Sequence, residues 1–299
     1  MGAARGVVCA ACSASCLALH EHVHGTLSPL PPLIAPFCDV CGPAYDNKPL
    51  LQQLCTEALT SDPVYLAGER QPHIQATREV LTEHMPHFAS AQFKWIHAAD
   101  FYMCAAGLGM DVPEPLQPYS QTAIMHSLWR FSELFSCLVR RSLAAGGLLQ
   151  TMADAMHTAM LTNLDDAQST CPHFHIHSGH DVTLMPLVHC LTGRRMSEWP
   201  AYASAVTVEL HRLQKKDGGT EFGVLARYNG EALWVDSRFA DTLAHPHEDR
   251  KHEPVSHNPR MVTVDAFSSL AAHYDSIAED ALQEAGQVQG AGASHDDAV

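Results

Sequence analysis

The sequence predicts an α/β fold from three observations. Residues 50–85 and 124–160 repeat their apolar side chains at helical spacing, residues 173–178 switch to strict alternation, and residues 205–235 continue that alternation around an Asn229–Gly230 turn. A content of 46% hydrophobic residues over 299 positions is ample for a core.

The amino-terminal stretch MGAARGVVCAACSASCLALH carries a single arginine followed by small and apolar residues, the outline of a weak signal peptide and too short to span a bilayer. It lacks the Ser or Thr at the sixth position that myristoylation requires. Residues 1–28 are therefore set apart as an amino-terminal extension. From Leu27 to Asn47, prolines at 29, 31, 32, 36 and 43 exclude a regular helix or central strand and mark an extended connector.

Leu50, Leu51, Leu54, Cys55 and Leu59 then predict one helix, and Ile74, Val80, Leu81 and Met85 a second. A longer pattern follows through Ile124, Leu128, Phe131, Leu134, Phe135 and Leu138. It is expected to break at Gly146–Gly147 and resume as Leu148, Leu149, Met152, Met156 and Met160. The methionines read as core packing. Arg130, Arg140, Arg141, Arg194 and Arg195 read as solvated helix charges.

Next, HFHIHS at 173–178 alternates Phe174 and Ile176 against His173, His175 and His177, which predicts a strand with one less buried face. Strands are expected at 205–213 and 220–235, with Asn229–Gly230 as the hairpin turn between two arms of the latter. Trp199, Pro200 and Tyr202 read as a packed turn. A helix from about Asp265 to Ala285 and a disordered tail at 288–299 complete the chain.

Composition narrows the function. Thirty-three acidic against 18 basic residues give a formal charge of −15, which repels a phosphate backbone and argues against a nucleic-acid partner. No segment is long and apolar enough for a stable membrane span. The 21 histidines would charge at mildly acidic pH, which suits an acidic compartment. Ten cysteines fit either disulfides or free buried thiols. The Cys9/Cys12 and Cys38/Cys41 pairs leave a zinc protein open as a third reading.

The chemistry concentrates at Gly179–His180–Asp181, where the predicted strand turns into an apolar helix. A strand's carboxyl end in an α/β sheet is where ligands bind, and the helix N-terminus attracts anions. Histidine can hydrogen-bond a phosphoryl oxygen, and a carboxylic acid can protonate a departing one. The alternative is structural: Asp181 caps the helix and His180 packs beside it.

Beyond these residues, SGHDVTLMPLVHCLTG, EWPAYASAVTVEL and YNGEALWV occur in an order that resembles the carboxyl-terminal part of the histidine acid phosphatases, branch two of the histidine phosphatase superfamily. Upstream, the proline-rich connector, FKWIHAADFYMCAAGLGMDVPEPL and LAAGGLLQTMADAM extend the likeness to about Pro29–Ala285. The resemblance implies a three-layer α/β/α, phosphoglycerate-mutase-like sheet with a helical subdomain, spanning 29–287. It implies a phosphomonoester hydrolase working through a phosphohistidine, without metal or cofactor, on a small-molecule phosphomonoester. His180 would contact phosphate and Asp181 would donate the proton. The family favours a secretory, lysosomal or extracellular location, and nothing in the chain sets an oligomeric state.

One departure stands out. The family's amino-terminal Arg-His-Gly-x-Arg-x-Pro motif is absent, and the nearest string is VHGTLSP at 23–29, with His24 in the nucleophile's place and Val23 and Leu27 where arginines belong. The expectation is a chain without the family's amino-terminal strand, retaining the acid half of the site and having little activity. The alternative is an inactive relative that binds a phospholigand or a partner protein.

Overall fold

The computed structural model describes residues 5–11, 48–85, 93–161, 174–215, 217–236, 238 and 261–293. Helices predominate: α1 (Lys48–Ser61), α2 (Pro63–Glu69), α3 (Pro72–His84), α4 (Trp95–Leu108), α5 (Ser120–Leu134), α6 (Leu138–Leu161), α7 (Asp181–Thr192) and α8 (Val264–Ala293). Six strands form one mixed sheet: β1 (Arg5–Ala11), β2 (Phe174–Gly179), β3 (Ala205–Gln214), β4 (Thr220–Tyr228), β5 (Glu231–Ala232) and β6 (Val262–Thr263).

The order β2-β1-β3-β4-β5 corrects the expectation of a sheet without an amino-terminal strand. β1 is a seven-residue strand, Arg5–Ala11, set between β2 and β3. β1 runs parallel to β2, from Gly6 opposite Phe174 to Ala11 opposite Gly179, and antiparallel to β3, from Arg5 opposite Leu210 to Ala10 opposite Ala205. Residues 5–11, expected in the extension, thus belong to the sheet. β3 and β4 pair antiparallel along their length. The turn into β5 places both Asn229 (φ 50°) and Gly230 (φ 86°) in the left-handed region, as a two-residue hairpin of the Asn-Gly type requires.

The largest core lies between the sheet and α6, α7 and α8. Val206, Val208 and Leu210 of β3 meet Leu149, Met152 and Met156 of α6, Leu184, Leu187 and Leu191 of α7, and Phe267, Leu270 and Tyr274 of α8. A second cluster, around Leu81, Trp95, Tyr102 and Leu116, holds the helices ahead of α6 together. Glu69 ties those helices: its carboxylate meets His126 at 3.1 Å and Arg130 at 3.0 Å and accepts from Trp95 Nε1 at 3.3 Å. Burial opposes ionisation of Glu69, but these partners prevail and hold its carboxyl below the usual range.

Four details differ from the sequence expectation. The helical pattern does not break at Gly146–Gly147; α6 runs through both, and the break falls at 135–137. Gly146 serves close packing, since a Cβ there would lie 2.7 Å from the Tyr274 carbonyl oxygen of α8. Second, Arg141 is buried, not solvated: it donates to the Phe135 carbonyl at 3.0 Å and to His189 Nε2 at 3.3 Å, while Arg140 Nε donates to the Leu134 carbonyl at 2.6 Å. These two arginines satisfy carbonyls that the end of α5 leaves without helical partners. Third, β2 alternates as expected but faces the other way, with His177 3% exposed and Phe174 and Ile176 at 53% and 58%. Its inward face is set by where α7 and β1 pack, and periodicity alone does not encode that choice. Finally, α8 continues to Ala293, past the expected end, because adding a residue to an existing helix costs far less than starting one.

Two predictions follow from this packing. Gly146→Ala should lower the unfolding free energy by about 1–3 kcal/mol through overpacking against backbone. Gly107→Ala in α4, where the added Cβ meets nothing within 4 Å, should raise it by up to about 1 kcal/mol. Urea unfolding of the two variants measures both. His189 is buried, and burial followed by the facing Arg141, Arg195 and Arg238 lowers its pKa from 6.5 to about 4, so folding favours the neutral ring. Its contribution is complete above the unfolded pKa and is lost as pH falls from about 6.5 toward 4, on the order of 3 kcal/mol in total. A His189→Gln protein should show a flatter stability profile across that window.

Candidate active site

Gly179 ends β2, and there a Cβ would meet the Thr183 side chain at 3.2 Å, so the chain turns tightly into the helix. His180 is extended (φ −114°, ψ 169°) and holds the N-cap position of α7, its backbone N–H donating to Thr183 Oγ1 at 3.3 Å. Asp181 is the first helical residue. A carboxylate suits this position, beside the free N–H groups and positive end of the helix dipole.

Both Asp181 oxygens are engaged. Oδ1 accepts from the Val182 backbone N–H at 2.8 Å, and Oδ2 accepts from Trp199 Nε1 at 2.9 Å. Trp199 is itself buried, packing with Leu128 and Met185 and meeting the Phe131 ring edge-to-face at 5.6 Å between centroids. Of the turn expected to be packed, Trp199 and Pro200 are buried while Tyr202 is exposed, and the Trp199 indole holds the Asp181 carboxyl. The structural alternative is met in part, because one Asp181 oxygen does satisfy a first-turn N–H. The N-cap position, however, belongs to His180.

β1 and β2 end level with each other, Ala11 opposite Gly179, so two parallel strands present their carboxyl ends where His180 and Asp181 lie, both half-buried. His24 lies outside the described residues, as do Cys12, Cys38 and Cys41. Among the described residues no group of three His, Cys, Asp or Glu side chains is arranged to hold a metal. No helix among them is long and apolar enough to cross a membrane. Of the arginines read from sequence as solvated charges, Arg130 pairs with Glu69, Arg140 and Arg141 with the end of α5, and Arg195 with Glu133.

Asp100 is the side chain that sequence reasoning passed over. It is half-buried on α4, and its carboxyl is raised above the ordinary range first by burial and then by the charge of Asp181, against an opposing effect of His97. The signal was present as a carboxylate on the apolar face defined by Ile96 and Met103.

No family model matches this chain. No curated protein matches it by sequence. Among solved structures it is similar to the phytase from Citrobacter braakii, at 12% identity and a TM-score of 0.42, over 76% of this chain. The chain spans 66% of that phytase's length.

Trp199→Phe should keep most of the ring packing while removing the N–H donor to Asp181. A loss of about 1–3 kcal/mol in unfolding free energy is expected for a hydrogen bond to a charged group, measured by urea denaturation at neutral pH.

Proposed function

We propose that this chain is a phosphomonoester hydrolase of the histidine acid phosphatase kind, with His180 as phosphate contact and Asp181 as proton donor to the leaving alcohol. The observation that carries the reading is the placement of the pair at the carboxyl end of β2 and the start of α7, level with the end of the parallel β1. Such a strand end beside a helix N-terminus suits an anionic ligand. Trp199 fixes the Asp181 carboxyl, and a fixed acid is what protonation of a departing oxygen needs.

The full reaction is taken as two displacements through a phosphohistidine. That scheme needs a nucleophile and positive charge around the phosphoryl oxygens, the latter often worth several orders of magnitude in rate. His24 is the sequence's candidate for the nucleophile. The three-layer, phosphoglycerate-mutase-like arrangement is part of the same proposal. Helices α6–α8 pack on one side of the sheet, and the exposed Phe174 and Ile176 mark the other side, where a further layer would lie. The phosphatase-like unit, read as 29–287 from sequence, is proposed to take in β1 as well.

A second reading is a relative that binds a phospholigand without turning it over. It is favoured by the engagement of Arg130, Arg140, Arg141 and Arg195 away from the strand end.

Hydrolysis at pH 5 of an aryl phosphate with a good leaving group and of an alkyl phosphate with a poor one separates the readings. For a hydrolase, Asp181→Asn should slow the alkyl ester by about 100-fold or more and the activated ester far less. Equal losses on both esters would make Asp181 a structural residue. Absence of turnover, with inorganic phosphate still shifting the His180 ring resonances, would favour the binding protein.

A further inference from the structure

Toward the other end of α7 from His180 and Asp181, about 14 Å away along the helix axis, lies a cavity between α5, α7 and the turn that follows α7. Its volume is about 190 Å³, counted with the solvent space at its mouth. Phe131 and Phe135, one helical turn apart and stacked with ring centroids at 6.3 Å, form its apolar walls together with Met185 and Met196. Ser132, His189 and Arg195 supply its polar lining.

His189 decides what such a cavity can hold. Its ring is buried, and Nε2 accepts from Arg141 Nη1 at 3.3 Å, so the neutral ring carries its hydrogen on Nδ1. Among the described residues nothing accepts that hydrogen, and protein does not seal Nδ1 off, so the N–H opens on the cavity. The Ser132 hydroxyl also has no partner among the described residues. Arg195 gives one N–H group to Glu133 and keeps its other donors on a half-exposed guanidinium. A few convergent donors set in aromatic and thioether walls make a site for a small organic anion.

We propose that this cavity binds a small monocarboxylate, whose oxygens accept from His189 Nδ1, Ser132 Oγ and Arg195 while its carbon chain lies against Phe131, Phe135 and Met185. The site is separate from the strand end, and the proposal does not depend on the hydrolase reading. The surrounding charge agrees. Burial first, and then the charges of Arg141, Arg195 and Arg238, lower the His189 pKa, with Asp236 opposing them, so the arginines make the field at the ring positive. Glu133, paired with Arg195, and Asp236, paired with Arg238, oppose a second negative charge. Their presence favours a monoanion over a phosphate dianion.

The test is a titration of the full wild-type chain with sodium propionate at pH 8 and constant ionic strength, read from the ring nitrogens of His189 by NMR. His189→Gln assigns the signal by removing it. The Nδ1 resonance should shift and saturate with a dissociation constant on the order of millimolar, as suits a ligand of about five non-hydrogen atoms. Propionamide, which has the same shape without the charge, and inorganic phosphate should each bind about tenfold more weakly or worse, and Arg195→Gln should weaken propionate by a similar factor. A Nδ1 resonance unmoved at about 100 mM propionate would overturn the proposal and leave a cavity that holds water alone. Equal shifts from propionate and propionamide would also overturn it, and so would unchanged propionate affinity in Arg195→Gln. The propionamide comparison needs no variant, so it decides the matter even if Arg195→Gln does not fold.

Discussion

The attachment of β2 to the sheet is the constraint on which the candidate site depends. Among the described residues, β2 reaches β3 and β4 through β1 alone, a seven-residue strand hydrogen-bonded to β2 on one side and β3 on the other. Backbone N–H and C=O groups removed from water must be paired, so β1 fixes both the height and the direction of β2. Because the β1–β2 pairing is parallel, both strands end at one edge. His180 and Asp181 occupy that edge as the chain turns into α7.

The helices on the covered face are locked by a different device. Gly146 lets α6 approach the backbone of α8, and Tyr274, Met152 and Leu149 are buried in the core the two helices share. Where these helices meet the end of α5, the buried Arg141 spends its donors on carbonyls and on the neutral ring of His189, and lies over the Tyr274 ring at 5.6 Å. An arginine has no acceptor, so His189 Nε2 must accept, which fixes the tautomer. Burial also pushes the Cys190 thiol well up, making it an inert packing residue.

At the site itself, several weak effects act together. The helix start, the Val182 N–H and the Trp199 indole all face the Asp181 carboxyl, and the Asp181 charge is, after burial, a cause of the raised Asp100 carboxyl. Hydrogen bonds to a carboxylate and a nearby carboxylate pull proton affinity in opposite directions. Helix α4 is docked beside the same Trp199 turn through the Ile96 and Met103 contacts.

Local pattern determined much of this protein by itself. The helices at Lys48–Ser61 and Pro72–His84, the strand before Gly179, the long strand at 205–214 and the Asn229–Gly230 turn were all legible, since each follows from side-chain period or from a residue that tolerates positive φ. His180 and Asp181 stood out for the same reason, as the point where period two gives way to 3.6. Tertiary structure alone decided the rest. Gly146–Gly147 reads locally as a break and serves globally as a helix contact, because only the partner's backbone shows why no side chain fits. Arg141 reads as a surface charge until the end of α5 supplies carbonyls to bind it. The pairing of β2 with β1 and the place of residues 5–11 between two strands distant in sequence arise from contacts across more than 150 positions of chain. No local period carries that information, because it resides in which surfaces are left to pack once the elements have formed.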